Sequence, residues 1–73
     1  MDDLALASRV RMELALHEAT SHLEVEVFAK ERAVRIVGSA SNMRDVDDVR
    51  RLAVAVPGVE KLNLDELASP VRS

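Results

Sequence analysis

The apolar residues of this 73-residue chain change their spacing three times, and that succession of periods most restricts the fold. From Asp3 to about Leu16, Leu6, Val10 and Leu14 recur every four residues, with Leu4 and Ala7 beside them. Arg9, Arg11 and Glu13 lie between, and Glu18 follows. Recurrence at four is the spacing of an amphipathic helix. Asp2 and Asp3 set carboxylates at its start, where free N–H groups and the positive dipole end favour them. After His17 the pattern breaks, Ala19-Thr20-Ser21 reads as a connection, and from Leu23 the period is two. Leu23, Val25 and Val27 then face one way and Glu24, Glu26 and Phe28 the other, as in a strand with one buried face. Beyond Lys30-Glu31-Arg32, Val34 and Ile36 alternate with Arg35 and Val37 up to Gly38. Two strands so close in sequence form an antiparallel hairpin. A register with Val27 opposite Val34 would set Glu26 against Arg35 as a favourable cross-strand pair.

The period then returns to that of a helix. Ser41-Asn42 is a capping start, with Asp45, Asp47 and Asp48 near the positive dipole end and Arg50 and Arg51 further along. Val46, Val49, Leu52, Ala53 and Val56 form an apolar stripe, and Pro57-Gly58 stops the helix. Val59 to Leu64 reads as a third strand, with Leu62 and Leu64 alternating against Lys61 and Asn63. The order α-β-β-α-β predicts an α+β fold. It is a two-layer sandwich with two helices packed on one face of a three-stranded mixed sheet. The crossover through the second helix should be right-handed and lay the third strand parallel to the second. Residues 1–66 are expected to form the single domain and 67–73 a flexible C-terminal tail.

Composition removes several classes of function. A chain this short supports one small core and no second domain. It has no Cys, so disulfides, thiolate nucleophiles and Cys-based metal sites are excluded. A net charge of −3 and the lack of Trp and Tyr argue against nucleic-acid binding, and no Gly-x-x-Gly phosphate clamp occurs. No apolar stretch approaches the roughly 20 residues of a membrane span. Met1-Asp2-Asp3-Leu4 carries acids where an export leader carries bases. The expected location is cytoplasmic if the chain is complete and periplasmic or envelope-associated if it was cut from an exported protein.

The opening helix Asp3-x-x-Leu6-x-x-x-Val10-x-x-x-Leu14 precedes alternating strands that end in Val34-x-Ile36-x-Gly38. A helix then closes with Ala53 and Val56-Pro57-Gly58-Val59-x-x-Leu62. Over residues 3 to 64 this order resembles the BON domain, a small module of bacterial envelope and stress-related proteins. The family usually has Gly in the hairpin turn, where this chain has Glu31-Arg32. The resemblance implies a non-catalytic module that associates with phospholipid or with envelope proteins. Arg9, Arg11, Arg50 and Arg51 are then the candidate headgroup contacts.

The remaining chemistry is sparse. His17 and His22, five residues apart, match no ligand spacing, and the aspartates of the second helix suit its dipole, so no metal or cofactor is expected. Ser39 and Ser41 sit between a strand and a helix but lack the glycines and histidine of a nucleophile elbow, and an enzyme is not expected. Nothing in the chain is left to cover the second sheet face, which should carry Glu24, Glu26, Phe28, Arg35 and Val37, with Lys61 or Asn63. Phe28 and Val37 form either a contact patch for a homodimer or another protein, or Phe28 folds over the sheet edge to close the core with Leu64 and Leu67. A further alternative is a cytoplasmic sensor that binds an ion or small ligand through backbone carbonyls.

Overall fold

The computed structural model describes residues 2–40 and 42–68. Two helices, α1 (Asp3–Leu16) and α2 (Met43–Val54), lie on one face of a mixed sheet of β1 (Glu24–Lys30), β2 (Ala33–Ser39), β3 (Lys61–Asn63) and β4 (Leu67–Ala68). The strand β2 is central. It pairs antiparallel with β1 and parallel with β3 and β4, which follow one another along its other side. The α+β sandwich in the order α-β-β-α-β is therefore present.

Local chemistry explains most boundaries. The Asp2 carboxylate accepts a 2.7 Å hydrogen bond from the Ala5 N–H at the start of α1, and Asn42 Oδ1 caps α2 through the Asp45 N–H at 3.0 Å. Ser41, expected to share that capping role, lies outside the described residues. At the end of α1, the buried Thr20 donates its hydroxyl to the Leu14 carbonyl at 2.6 Å, satisfying a helix-end acceptor inside the core. Gly58, at φ 102°, turns the chain after α2 through a conformation that side chains disfavour.

The core consists of Leu6, Val10 and Leu14 of α1, Val34 and Ile36 of β2, and Val49 and Ala53 of α2. Ala40, Val56 and Leu67 close it, and Leu23, Val25, Val27, Ala29, Val46, Leu52, Val59, Leu62 and Leu64 are half-buried around it. The inward positions expected for β1 and β2 all face this core.

Three expectations need correction. In the hairpin, Val27 opposes Ile36 and Phe28 opposes Arg35, so Glu26 faces Val37. The reason is the turn: only Glu31 and Arg32 lie outside the ladder, at φ 51° and 68°. Positive φ at both central residues is the type I′ geometry that matches strand twist, and it fixes the register two residues away from the expected one. Glu31 and Arg32 tolerate this because the turn is held from outside. The Glu31 N–H donates to Asp3 Oδ1 at 2.9 Å, the Arg32 carbonyl accepts from Glu60 N–H at 2.9 Å, and Arg32 pairs with Glu60 at 3.1 Å.

The third strand is shorter than expected, Lys61–Asn63, and is continued by β4. Pairing runs from Ala33–Lys61 to Arg35–Asn63, breaks, and resumes at Gly38–Leu67 with one extra residue on the outer side. Leu67 is 6% exposed, so the expected tail from residue 67 begins as part of the sheet, while 69–73 lie outside the described residues. Thirdly, Leu4 does not join the buried face of α1: it is 78% exposed.

Candidate interaction surfaces

The outer side of α1 departs most from a simple amphipathic helix. Leu4, Met12 and Leu16 are 78%, 59% and 77% exposed. At 3.6 residues per turn, Met12 stands almost opposite the buried row Leu6, Val10 and Leu14. Ala5, Ser8 and Ala15 fill the space between these side chains and are exposed too. The helix is therefore apolar on two sides, whereas a helix that faces water normally has a polar outer stripe. Arg9 borders the outer stripe on one flank and Arg11 on the other, and both are exposed. The signal was present in the sequence as three large apolar residues at positions the inward row does not use.

Arg50 and Arg51 are placed differently. They lie on α2 and pair with Asp47 and Asp48 one turn earlier. Together with Asp47 and Val54, these two arginines line one shallow depression, and Arg11 lines others along β1 with Glu24, Glu26 and Phe28. Thus the four candidate arginines form two groups. The group on α2 is largely neutralised by its own aspartates, and exposed pairs of this kind hold their charges in place weakly, with about 0–1 kcal/mol each.

On the side of the sheet away from the helices, Glu24, Glu26, Phe28 and Arg35 are exposed. Phe28 is 44% exposed and stays on that face, and the Arg35 guanidinium lies over its ring, 4.9 Å from the centroid. Arg35 Nη1 in turn donates to both oxygens of the Glu66 carboxylate, at 3.1 and 3.0 Å. Val37 is half-buried beside them, and Asn63 aligns with Arg35 on β3. Phe28, Lys30, Ala33, Arg35 and Asn63 border a shallow hollow of about 340 Å³. With Leu67 in the core on the opposite side of the sheet, Phe28 does not fold over the edge to join it.

His22 Nε2 lies 3.6 Å from Asp45 Oδ2, tying the loop before β1 to the start of α2, and His17 Nδ1 accepts from the Ala19 N–H at 3.2 Å. Among the described residues no group of three His, Asp or Glu side chains could hold a metal ion, and no helix is long and apolar enough to cross a membrane. Ser39 ends β2 at the exposed edge of the ladder opposite Glu24, and Ser41 lies outside the described residues. In comparisons with known proteins no family model and no curated protein matches the chain, so the functional reading rests on these surfaces.

Proposed function

We propose that the chain is a non-catalytic module that associates with the surface of anionic phospholipid bilayers through the outer side of α1. The observation that carries this reading is the exposed stripe Leu4, Met12 and Leu16 bordered by Arg9 and Arg11. An interfacial helix works this way: apolar side chains enter the headgroup boundary while flanking cations stay at the level of the phosphates. Burying three such side chains from their present exposure is worth about 3–6 kcal/mol. Each arginine near an anionic surface adds about 1 kcal/mol. The sum resembles the reversible binding given by a single acyl chain. The net charge of −3 opposes it at long range, so binding is local and weak. Arg50 and Arg51 have no part in it.

Co-sedimentation with phosphatidylglycerol-containing vesicles tests this reading, with phosphatidylcholine vesicles as the neutral control. Binding to the anionic vesicles at low salt, reduced at moderate salt and lost in Met12→Glu, is the expected result. An Arg50→Gln/Arg51→Gln variant should bind as the parent does. Absence of binding to anionic vesicles at both salt levels ends the lipid reading, and so does an unchanged Met12→Glu variant.

A further inference from the structure

The strand β1 ends the sheet, and the pattern along it is self-complementary. Its partner on one side is β2, and no strand pairs with its other side among the described residues. The two-residue turn at Glu31-Arg32 makes Lys30 and Ala33 a hydrogen-bonded pair. Counting back from there, Glu24, Glu26, Phe28 and Lys30 direct their backbone groups to β2. Val25, Val27 and Ala29 direct their N–H and C=O groups to the free edge.

Edges of this kind are normally blunted by proline, a bulge, short length, an inward-pointing charge, charged side chains along the edge or a covering helix or loop. The seven residues of β1 contain no proline, bulge or inward-pointing charge; its charges, Glu24, Glu26 and Lys30, lie on the outward face and are of both signs, and its inward side chains are Val25, Val27 and Ala29. Those three are half-buried, because the sheet stops beside them. The outward side chains run acidic, acidic, aromatic, basic: Glu24, Glu26, Phe28, Lys30.

We infer that β1 is a homodimer interface, in which two copies pair antiparallel across a two-fold axis at Val27 to make one continuous sheet. In that register Val27 opposes its own copy, Val25 opposes the second copy's Ala29, and each of these pairs exchanges both of its N–H···O bonds. Every edge-directed group of Val25, Val27 and Ala29 is thereby satisfied. On the outward face Glu24 of each copy meets Lys30 of the other, so both ends of the interface carry an opposite-charge pair. Phe28 opposes Glu26 of the second copy, and the two Phe28 rings become diagonal neighbours across the axis, each already covered by its own Arg35. On the inward face, the half-buried Val25, Val27 and Ala29 of each copy meet those of the other, extending the core. An axis perpendicular to the sheet also keeps both helix layers on one side. The occupant is a second copy because the charges match under the two-fold, and the interface is isologous as such symmetry requires. None of this depends on the lipid reading.

Sedimentation equilibrium of the full chain from micromolar to submillimolar concentration tests the inference. A monomer–dimer equilibrium is expected. Glu24→Lys alone and Lys30→Glu alone each turn both end pairs repulsive and should weaken the dimer roughly tenfold. Mixing the two variants should restore association, because every cross-strand pair in the heterodimer is then of opposite sign. Both residues are exposed, so the fold should survive the exchange. As a second measurement, Val27→Cys places its cysteine opposite itself at a separation of about 5.5 Å between Cα atoms, within disulfide range. It should cross-link in air far faster than Ser8→Cys on the outer side of α1. A monomer throughout the range, a dimer indifferent to both charge changes, or faster cross-linking at Ser8→Cys would each overturn the inference.

Discussion

Replacing Gly38 with alanine puts the closest approach in the hairpin under test. Gly38 lies opposite Val25 at φ 152°, and an ideal Cβ there would stand 2.2 Å from the Glu24 carbonyl oxygen and 2.9 Å from the Val25 Cα. Non-bonded heavy atoms settle at about 3.5 Å, so β1 and β2 would have to part by about 1 Å. Both obstructing atoms are backbone, so no side-chain rotation relieves the contact. The disfavoured backbone conformation costs about 1–3 kcal/mol, and the forced separation costs about 1–3 kcal/mol as in other overpacked sites. Together they remove about 4 kcal/mol from a total of about 4–11 kcal/mol expected for this length. At about 4–8 °C per kcal/mol in a domain of this size, the thermal midpoint should fall by about 15–30 °C. Far-UV circular dichroism melts measure it, with Gly58→Ala as the reference for the conformational cost alone. A Gly38→Ala midpoint within a few degrees of the parent, or no lower than that of Gly58→Ala, would refute the reasoning.

Two further substitutions probe features that the chain uses locally. Glu31→Asn with Arg32→Gly replaces two left-handed residues by types that accept that conformation more readily, at the cost of one exposed ion pair. A net gain of about 1 kcal/mol is expected, seen as a higher urea midpoint, and a lower midpoint would contradict the type I′ assignment. Thr20→Val keeps the volume but leaves the Leu14 carbonyl without its buried donor. This should lower the urea midpoint by the equivalent of about 1–2 kcal/mol, and an unchanged midpoint would show that the carbonyl finds another partner.

The layers of this fold were readable because each buried face obeys its own period: Leu6, Val10 and Leu14 on α1, Val34 and Ile36 on β2, Val49 and Ala53 on α2. Register was not readable, because it depends on turn geometry and not on polarity. Glu31 and Arg32 carry none of the usual composition of a type I′ turn, and what holds them there, Asp3 and Glu60, is distant in sequence. The same applies to Thr20, which looked like a loop residue and is 2% exposed because the end of α1 needs its hydroxyl. The outward stripe of Leu4, Met12 and Leu16 is hard to read from sequence for another reason. The inward row accounts for the helix by itself, Leu4 reads as its neighbour, and nothing in the four-residue spacing singles out Met12 or Leu16. Arg50 and Arg51 looked equivalent to Arg9 and Arg11 in sequence, and only their pairing with Asp47 and Asp48 separates the two sets.

The extra residue in the outer strand makes the two sides of the sheet unequal as templates. Between Asn63 and Leu67 the chain turns on itself: the Asp65 N–H goes to Asn63 Oδ1 at 2.8 Å and the Leu67 N–H to the Leu64 carbonyl at 3.0 Å. These two donors are thus already occupied, and among the described residues no straight run longer than the three residues of β3 is offered there. The β1 side offers seven residues in unbroken register. In the proposed dimer, addition through β1 would therefore terminate itself: once two copies had joined, both remaining ends of the combined sheet would, among the described residues, be the interrupted kind. A molecule with two continuous edges would instead propagate copy upon copy into a fibre. One inserted residue on the far side would thus set an upper limit on the size of the proposed assembly.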